Sequence, residues 1–206
     1  MNARLGHGRA AGWSRTAAPV LAALSLCAAS AAWAQSPKLA GGVGFGWYGT
    51  DWGMTHQRLP GPIVGIGVEW GHGSLLCETD LQYIEKRNRY LSRAWDFTLG
   101  ELSLPVLLKV RRGSRLRPYV TGGGEIALIL SQRTADVSGV PMNGAPTATW
   151  DYGLVLGGGV EIKLGRAALE IEGRYHLGLA DTTRFTNDGA YDFKTRVLVL
   201  LGGVRF

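Results

Sequence analysis

The segment ALEIEGRYHLGL, Ala168–Leu179, alternates apolar and polar residues along most of its length. Its odd positions carry Leu, Ile, Tyr, Leu and Leu around one glycine, and its even positions carry Glu, Glu, Arg and His. Successive side chains of a strand point to opposite faces, so this pattern predicts a strand with one apolar and one charged face. A soluble sheet would bury the apolar face, whereas an outer-membrane barrel would turn it to lipid and the charges inward.

Seven further segments show the same period-2 pattern, and none of the chain follows a helical period instead. Most are longer than the usual globular strand of about five or six residues, and several reach the roughly 9 to 11 residues that cross a bilayer at a tilt. Segment length therefore favours a membrane barrel. The predicted strands are Leu39–Gly49, Ile63–Trp70, Leu75–Lys86, Phe97–Val110, Leu116–Ser131, Trp150–Leu164, Ala167–Leu179 and Asp192–Phe206.

The connections between these segments alternate between long and short. Gly71–Ser74, Arg111–Arg115 and Gly165–Arg166 are short, and the four remaining connections are long. Outer-membrane barrels have short periplasmic turns and longer outer loops on an even number of strands. With the N-terminus in the periplasm, every connection falls on its expected side. The sequence therefore predicts an all-β fold, an eight-stranded antiparallel up-and-down transmembrane β-barrel.

Aromatic residues near the strand ends support this prediction. Trp47, Trp150 and Tyr152 lie towards the long loops on the apolar parity, and Trp70 and Phe206 lie towards the short turns. Aromatic rings favour the membrane–water interface, where their apolar body and polar edge are both satisfied. The alternative fold, a soluble lipocalin-like barrel, would bury the apolar parity and would not need such rings at both ends.

Two motifs in the middle of the chain are similar to those of a known barrel family. ELSLPVLLKV at Glu101–Val110 is followed closely by LRPYVTGGGE at Leu116–Glu125. The pair resembles the core motifs of the PorT-like outer-membrane β-barrel family, a leucine–proline–leucine run ending in lysine, then Arg-Pro-Tyr leading into small residues. The resemblance implies an eight-stranded barrel over nearly all of the mature chain and implies no activity. The final VLVLLGGVRF resembles the outer-membrane assembly signal, with Phe206 as its aromatic residue.

The first 34 residues have the features of a targeting segment. Three arginines without an acid precede a short apolar run, and Ala32-Trp33-Ala34 fits the small-x-small cleavage pattern. The sequence therefore predicts a signal peptide at 1–34, cleaved near Ala34, and a barrel domain at 35–206 in the bacterial outer membrane. Cleavage removes those three arginines, so the formal charge of +6 falls to about +3. Only Cys77 remains, so an internal disulfide is excluded.

The inward parity carries charges on most strands. An eight-stranded barrel is just wide enough for side chains to fill, and an unpaired buried charge costs several kcal/mol. Acids and bases of neighbouring strands should therefore pair and close the interior, with Lys163 and Glu170 as one expected pair beside a tight turn. The predicted interior ion network comprises Glu101, Lys109, Arg117, Glu125, Glu161, Lys163, Glu170, Glu172, Arg174 and His176.

An acid–base pair of His176 with Glu170 or Glu172 is the alternative interpretation of these charges. A lipid A acyl hydrolase or transferase would need a nucleophile beside a histidine that a carboxylate orients. Ser103 and Ser131 share the inward parity, but neither lies in a nucleophile motif. The sequence favours a non-enzymatic structural or interaction barrel without cofactor, catalytic or metal residues. A lipid-modifying enzyme and a narrow, porin-like channel or ligand-binding barrel stay as alternatives.

The long loops form the predicted outside surface, and one of them, KRNRYLSR at Lys86–Arg93, is locally very basic and could bind lipopolysaccharide head groups or another polyanion. Lipopolysaccharide head groups carry phosphates, so this loop is either a lipopolysaccharide contact or simply a solvated loop. The expected partners are outer-membrane lipids, lipopolysaccharide and the outer-membrane assembly machinery, and export makes nucleic acid implausible. The residues predicted to contact lipopolysaccharide are Lys86, Arg87, Arg89 and Arg93.

Overall fold

The computed structural model of the chain describes residues 35–49, 56–90, 95–136, 149–180 and 194–206. They form a closed antiparallel barrel in which each strand pairs with its sequence neighbours and the first pairs with the last. The predicted fold class is confirmed. The predicted signal peptide and Arg93 lie outside the described residues. The strands are β1 (Gln35–Gly49), β2 (His56–His72), β3 (Leu75–Tyr90), β4 (Trp95–Arg111), β5 (Leu116–Asp136), β6 (Trp150–Leu164), β7 (Ala167–Gly178) and β8 (Lys194–Arg205).

No helix in the described ranges is long and apolar enough to cross a membrane.

The apolar parity of each strand faces outward and the charged parity faces inward. In β7, Ile171 is 73% exposed, whereas Glu170 and Glu172 on either side of it are buried. The outward face of β3 carries no charged residue as far as Tyr83 and continues with Glu85 and then an arginine. An apolar outer band bounded by polar residues is the pattern of a barrel that spans a bilayer.

Strands β2 to β5 run beyond the apolar band on the side of the long connections. We call residues 56–59, 87–90, 95–98 and 131–136 the outer extension. Its backbone pairing is continuous, for example between residues 87 and 98 and between 98 and 133. Irregularities in register separate it from the rest of the barrel in the β2–β3 pair and in the β4–β5 pair. Residues 97, 98 and 131 were predicted to lie in strands, and the rest of the outer extension was predicted to lie in loops. The prediction was wrong there because hydrogen bonding continues after the apolar alternation ends.

Each of the three short turns contains a glycine with a positive φ angle, and in two of them that angle is the only reason for the glycine. Gly73 and Gly165 have φ angles of +68° and +65°, in the left-handed region that side chains with a Cβ disfavour. A Cβ at either position would meet no other atom within 4 Å, so the backbone angle alone requires glycine there. Both turns join adjacent strands at the end of the barrel opposite the outer extension.

The outward orientation of β6 gives a direct test of the membrane placement. Leu156 lies at the middle of β6 and is 65% exposed, so Leu156→Arg places a charge in the lipid. We expect a loss of about 2 to 4 kcal/mol in the free energy of unfolding in vesicles, against about 0 to 1 for Leu164→Arg near the interface. Denaturant titration of the vesicle-bound protein measures both values. Equal losses at the two positions would contradict the placement and favour the soluble alternative.

Candidate functional site

The half of the barrel interior nearest the short turns is filled by one continuous set of ion pairs, which we call the central network. Every one of the eight strands contributes to it, and its side chains are buried or nearly so. Six carboxylates oppose six cations, so the central network is formally neutral. Its acids are Glu69, Glu78, Asp80, Glu161, Glu170 and Glu172, and its bases are Lys38, Lys109, Arg111, Arg117, Arg174 and Arg205.

Lys109 connects three strands of the central network. Its Nζ atom lies 2.9 Å from Glu69, 3.2 Å from Glu78 and 3.0 Å from Glu170. The same ammonium lies 4.1 Å from the ring centroid of Tyr119, close enough for a cation–π contact. With a side chain that is fully buried, Lys109 keeps its charge only because these groups replace its hydration.

Arg174 of β7 links its strand to β3 on the opposite side of the interior. Its guanidinium donates hydrogen bonds to Asp80 at 2.6 Å, to Glu172 at 2.8 Å and to Glu78. Lys38 of β1 contacts Glu78 as well, at 2.8 Å. Glu78 therefore lies where β1, β3, β4 and β7 meet across the interior. Such shared pairs bring side chains of opposite walls together inside the barrel.

Three carboxylates of the central network lie close enough together to suggest a metal site. One oxygen from each of Glu69, Glu161 and Glu170 lies within 4.8 Å of the other two. Arg205 contacts all three, at 2.8, 2.7 and 3.5 Å, and Lys109 also contacts Glu69 and Glu170. These cations already neutralise the cluster, so its chemistry is that of an ion-pair site rather than a metal site.

A second polar group, the outer cluster, lies in the half of the interior nearest the outer extension. Lys86 pairs with Glu101 and also donates to Thr195 at 3.2 Å, and Thr195 donates to Asp151 at 2.7 Å. Lys86 was predicted to contact lipopolysaccharide from a loop. That prediction was wrong because β3 continues to Tyr90, which keeps Lys86 on the inward parity and buries it.

The outer cluster also contains the histidine considered for catalysis. His176 Nδ1 lies 2.8 Å from Glu125 Oε2, and the Ser103 hydroxyl donates to that same oxygen at 2.8 Å. A serine–histidine–acid triad needs the histidine between the serine and the acid, but here the carboxylate lies between them. His176 is 2% exposed, so a lipid outside the barrel has no access to it. The alternative partners Glu170 and Glu172 belong to the central network.

Lys163 was predicted to pair with Glu170 and does not. Its backbone is opposite Ala168, whereas Glu170 is opposite Glu161. Lys163 is exposed because it lies at the end of β6, next to the β6–β7 turn and beyond the residues that fill the interior. The other predicted members of the ion network all lie inside the barrel, divided between the central network and the outer cluster.

Two cations of the central network were missed by the sequence analysis. Lys38 lies one residue before the first predicted strand, and Arg111 lies one residue after the fourth. Both continue the inward parity of their strands, and continuing that parity past the last apolar residue would have identified them. The predicted strands were ended at their last apolar residue. Charged interior residues at the barrel rim lie beyond that residue and were therefore left out.

Two of the predicted lipopolysaccharide residues face outward in the outer extension. Arg87 is 46% exposed and lies 3.6 Å from Glu85, and Arg89 makes a bidentate contact with Asp96 at 2.7 and 2.8 Å. The hydrogen bonds from Arg89 hold the pKa of Asp96 below its ordinary value. Arg89 is thus already paired, and Arg87 is the freer cation.

Residues 57–184 match the family described as outer membrane protein beta-barrel domain, which covers more than half of the chain. The chain belongs to this family. It is accordingly a small barrel of the bacterial outer membrane. No curated protein matches it.

The chain is also similar to solved outer-membrane barrels, at low sequence identity. Neisserial surface protein A is 16% identical with a TM-score of 0.49, covering 83% of this chain and 95% of its own. OprG from Pseudomonas aeruginosa is 14% identical with a TM-score of 0.49, covering 84% and 97%. The outer membrane enzyme PagL is 12% identical with a TM-score of 0.43, covering 81% and 97%.

Removing one cation from the central network should be far more costly than removing one from the surface. Lys109→Met removes one buried cation from three buried carboxylates, and we expect it to lower the free energy of unfolding by about 3 to 5 kcal/mol. Arg87→Gln, at an exposed ion pair, should change it by less than about 1 kcal/mol. Denaturant unfolding in vesicles measures both variants. Similar values for the two would mean that the central network does not stabilise the barrel.

Proposed function

We propose that the protein is a closed, non-conducting and non-enzymatic outer-membrane barrel that acts as a structural and interaction module through its outer extension. The observation that carries this proposal is the neutral central network, which draws on all eight strands and occupies the interior. Each of its charged groups lies within ion-pair distance of an opposite charge inside the barrel, which suits a structural filling. A catalytic or transport site would instead need groups that are free to meet a substrate.

An apolar patch adds to the closure of the barrel. Ile63, Ile84, Val197, Val199 and Leu201 form a buried cluster on the inner face of β2, β3 and β8. Along β3, the interior positions run from the central network through Ile84 to the outer cluster. An ion moving through the lumen would have to leave one polar group, pass this apolar patch on one side of the interior and separate the next pair, at a cost of several kcal/mol.

The outer extension supplies the proposed contact surface. On its outward face Arg87 is opposite Thr98, and Thr98 is opposite Arg133, so the two arginines flank one residue of β4. Both are exposed, and they lie just beyond the apolar band. Arginine binds phosphate with paired, directional hydrogen bonds. We propose that these two residues contact lipopolysaccharide phosphates, in place of the loop first predicted from the sequence.

Targeting and family subgroup belong to the same proposal. We propose export by the signal peptide at 1–34, with Phe206 read by the assembly machinery. The PorT-like assignment is supported by its two motifs, which lie on the adjacent strands β4 and β5 and pair with each other between residues 105–110 and 120–125. Their prolines occupy positions without a break in the pairing, since residues 105 and 118 are opposite Glu125 and Val160.

The closed interior predicts the behaviour of the protein in planar bilayers. Because the central network and the apolar patch block the lumen, we expect no stable porin-like conductance from the reconstituted protein at neutral pH. Single-channel recording, with a general porin in the same lipid as positive control, makes the measurement. Large and stable open levels from the wild-type barrel would reject the proposal.

The contact surface predicts a lipopolysaccharide phenotype that depends on position. The double variant Arg87→Gln/Arg133→Gln should reduce retention on immobilised lipopolysaccharide at low salt, because it removes two phosphate contacts. Arg112→Gln/Arg115→Gln removes the same charge from an exposed short turn at the opposite end and should leave retention unchanged. If both double variants lose retention equally, the binding reflects net charge and the proposed surface is wrong.

A further inference from the structure

The outer face of the barrel has a groove where β2, β1, β8, β7 and β6 lie side by side. One row of paired residues crosses it, from Val64 through Gly41, Gly202 and Ile171 to Val160. The two glycines form the floor, and the branched side chains beside them form the walls. The groove encloses about 680 Å³ and is lined almost wholly by apolar atoms. It lies within the outward band that faces lipid.

Packing does not require glycine at the two positions that form the floor of the groove. A Cβ at Gly202 would meet no atom within 4 Å, and one at Gly41 would meet only the carbonyl oxygen of Ile63, at an ordinary 3.5 Å. Neither glycine has a positive φ angle. Larger residues would therefore fit the backbone at these positions, and their effect would be to fill the groove.

The groove ends near a group of cations at the short turns. The row below the glycines includes Leu169 and Ile162, and the β6–β7 turn that follows carries exposed Lys163 and Arg166. The short connections and adjoining strand ends, residues 71–75, 111–116 and 163–167, contain no aspartate or glutamate. Among the described residues, no carboxylate lies within ion-pair distance of Lys163 or Arg166. The positive charges of Lys163 and Arg166 are therefore not neutralised at this end of the groove.

We propose that the groove binds an anionic phospholipid of the periplasmic leaflet, with an acyl chain over Gly41 and Gly202 and its phosphate at Lys163 and Arg166. Short turns mark the periplasmic side of such barrels, where phospholipid head groups lie. Arg166 is five residues from Ile171, about 17 Å along the strand at about 3.4 Å per residue. That distance is close to one leaflet of a hydrocarbon core of about 30 Å.

A second copy of the chain fits this surface less well. Two barrels inserted in the same direction would meet at equal heights, so one groove would face the other and leave a void between them. The same contact would bring the two β6–β7 turns together, and their cations would repel each other. A phospholipid instead supplies an apolar chain for the groove and a negative charge for the turn.

The experiment measures motionally restricted lipid by electron spin resonance. Spin-labelled phosphatidylglycerol, labelled on the acyl chain, is added to the full barrel in vesicles of phosphatidylethanolamine and phosphatidylglycerol. We expect a restricted component for the wild type that falls by at least half in Gly202→Leu. The matched control is Gly124→Leu, an outward glycine of β5 whose Cβ would meet only one atom, at 3.8 Å, and which should behave as wild type. Heat-modifiable gel migration verifies that each variant is folded.

A charge variant tests the head-group half of the proposal. In Lys163→Gln/Arg166→Gln, we expect the preference for spin-labelled phosphatidylglycerol over phosphatidylcholine to fall severalfold, because two cations at the membrane surface are removed. The proposal is overturned if Gly202→Leu retains the wild-type restricted component. It is equally overturned if Gly202→Leu changes the oligomeric state by light scattering while the lipid signal stays constant, since a second copy would then occupy the groove.

Discussion

The interior of an eight-stranded barrel is so narrow that every charge inside it must find its counter-charge among the side chains of the same small space. The central network meets this constraint with equal numbers of acids and bases. Lys109 and Arg174 each bridge several carboxylates, so no single ion pair is isolated. Neutrality is a property of the set, and the position of each member depends on the register of all eight strands.

The outer surface follows from the same parity. Once charged side chains occupy the inward positions, the alternate positions of each strand are left to face lipid, and they carry no charge within the band. Glycines interrupt this pattern on both faces of the barrel wall, with different effects on the two faces. Gly159 lies opposite Tyr119 and leaves room for its ring, since a Cβ there would come 2.8 Å from the ring atoms. Gly202 on the outer face has no such neighbour and leaves a groove instead.

The strand order, the inward and outward parity and the closed barrel could all be predicted from the sequence, because each rests on alternation that repeats over many residues. The limits of β6 were predicted to the residue, since turn residues and interface aromatics mark its ends. Lys86 and Lys163 were misplaced because alternation gives the direction of a side chain but not the height at which the interior ends. The pairing of His176 with Glu125 was also out of reach, since β5 and β7 are not adjacent and only the barrel's closure brings them together.

The distribution of the central network over the chain has a consequence for how the barrel forms. Lys38 comes from the first strand and Arg205 from the last, and both contact Glu170 of β7. A sheet that has not yet closed therefore holds carboxylates whose partners are still distant, and it has to keep them hydrated. The charges therefore pair at the same time as β1 pairs with β8, and water leaves the interior only when the barrel has closed. Folding of this barrel should thus be cooperative from end to end, with the seam between its terminal strands as the last element to form.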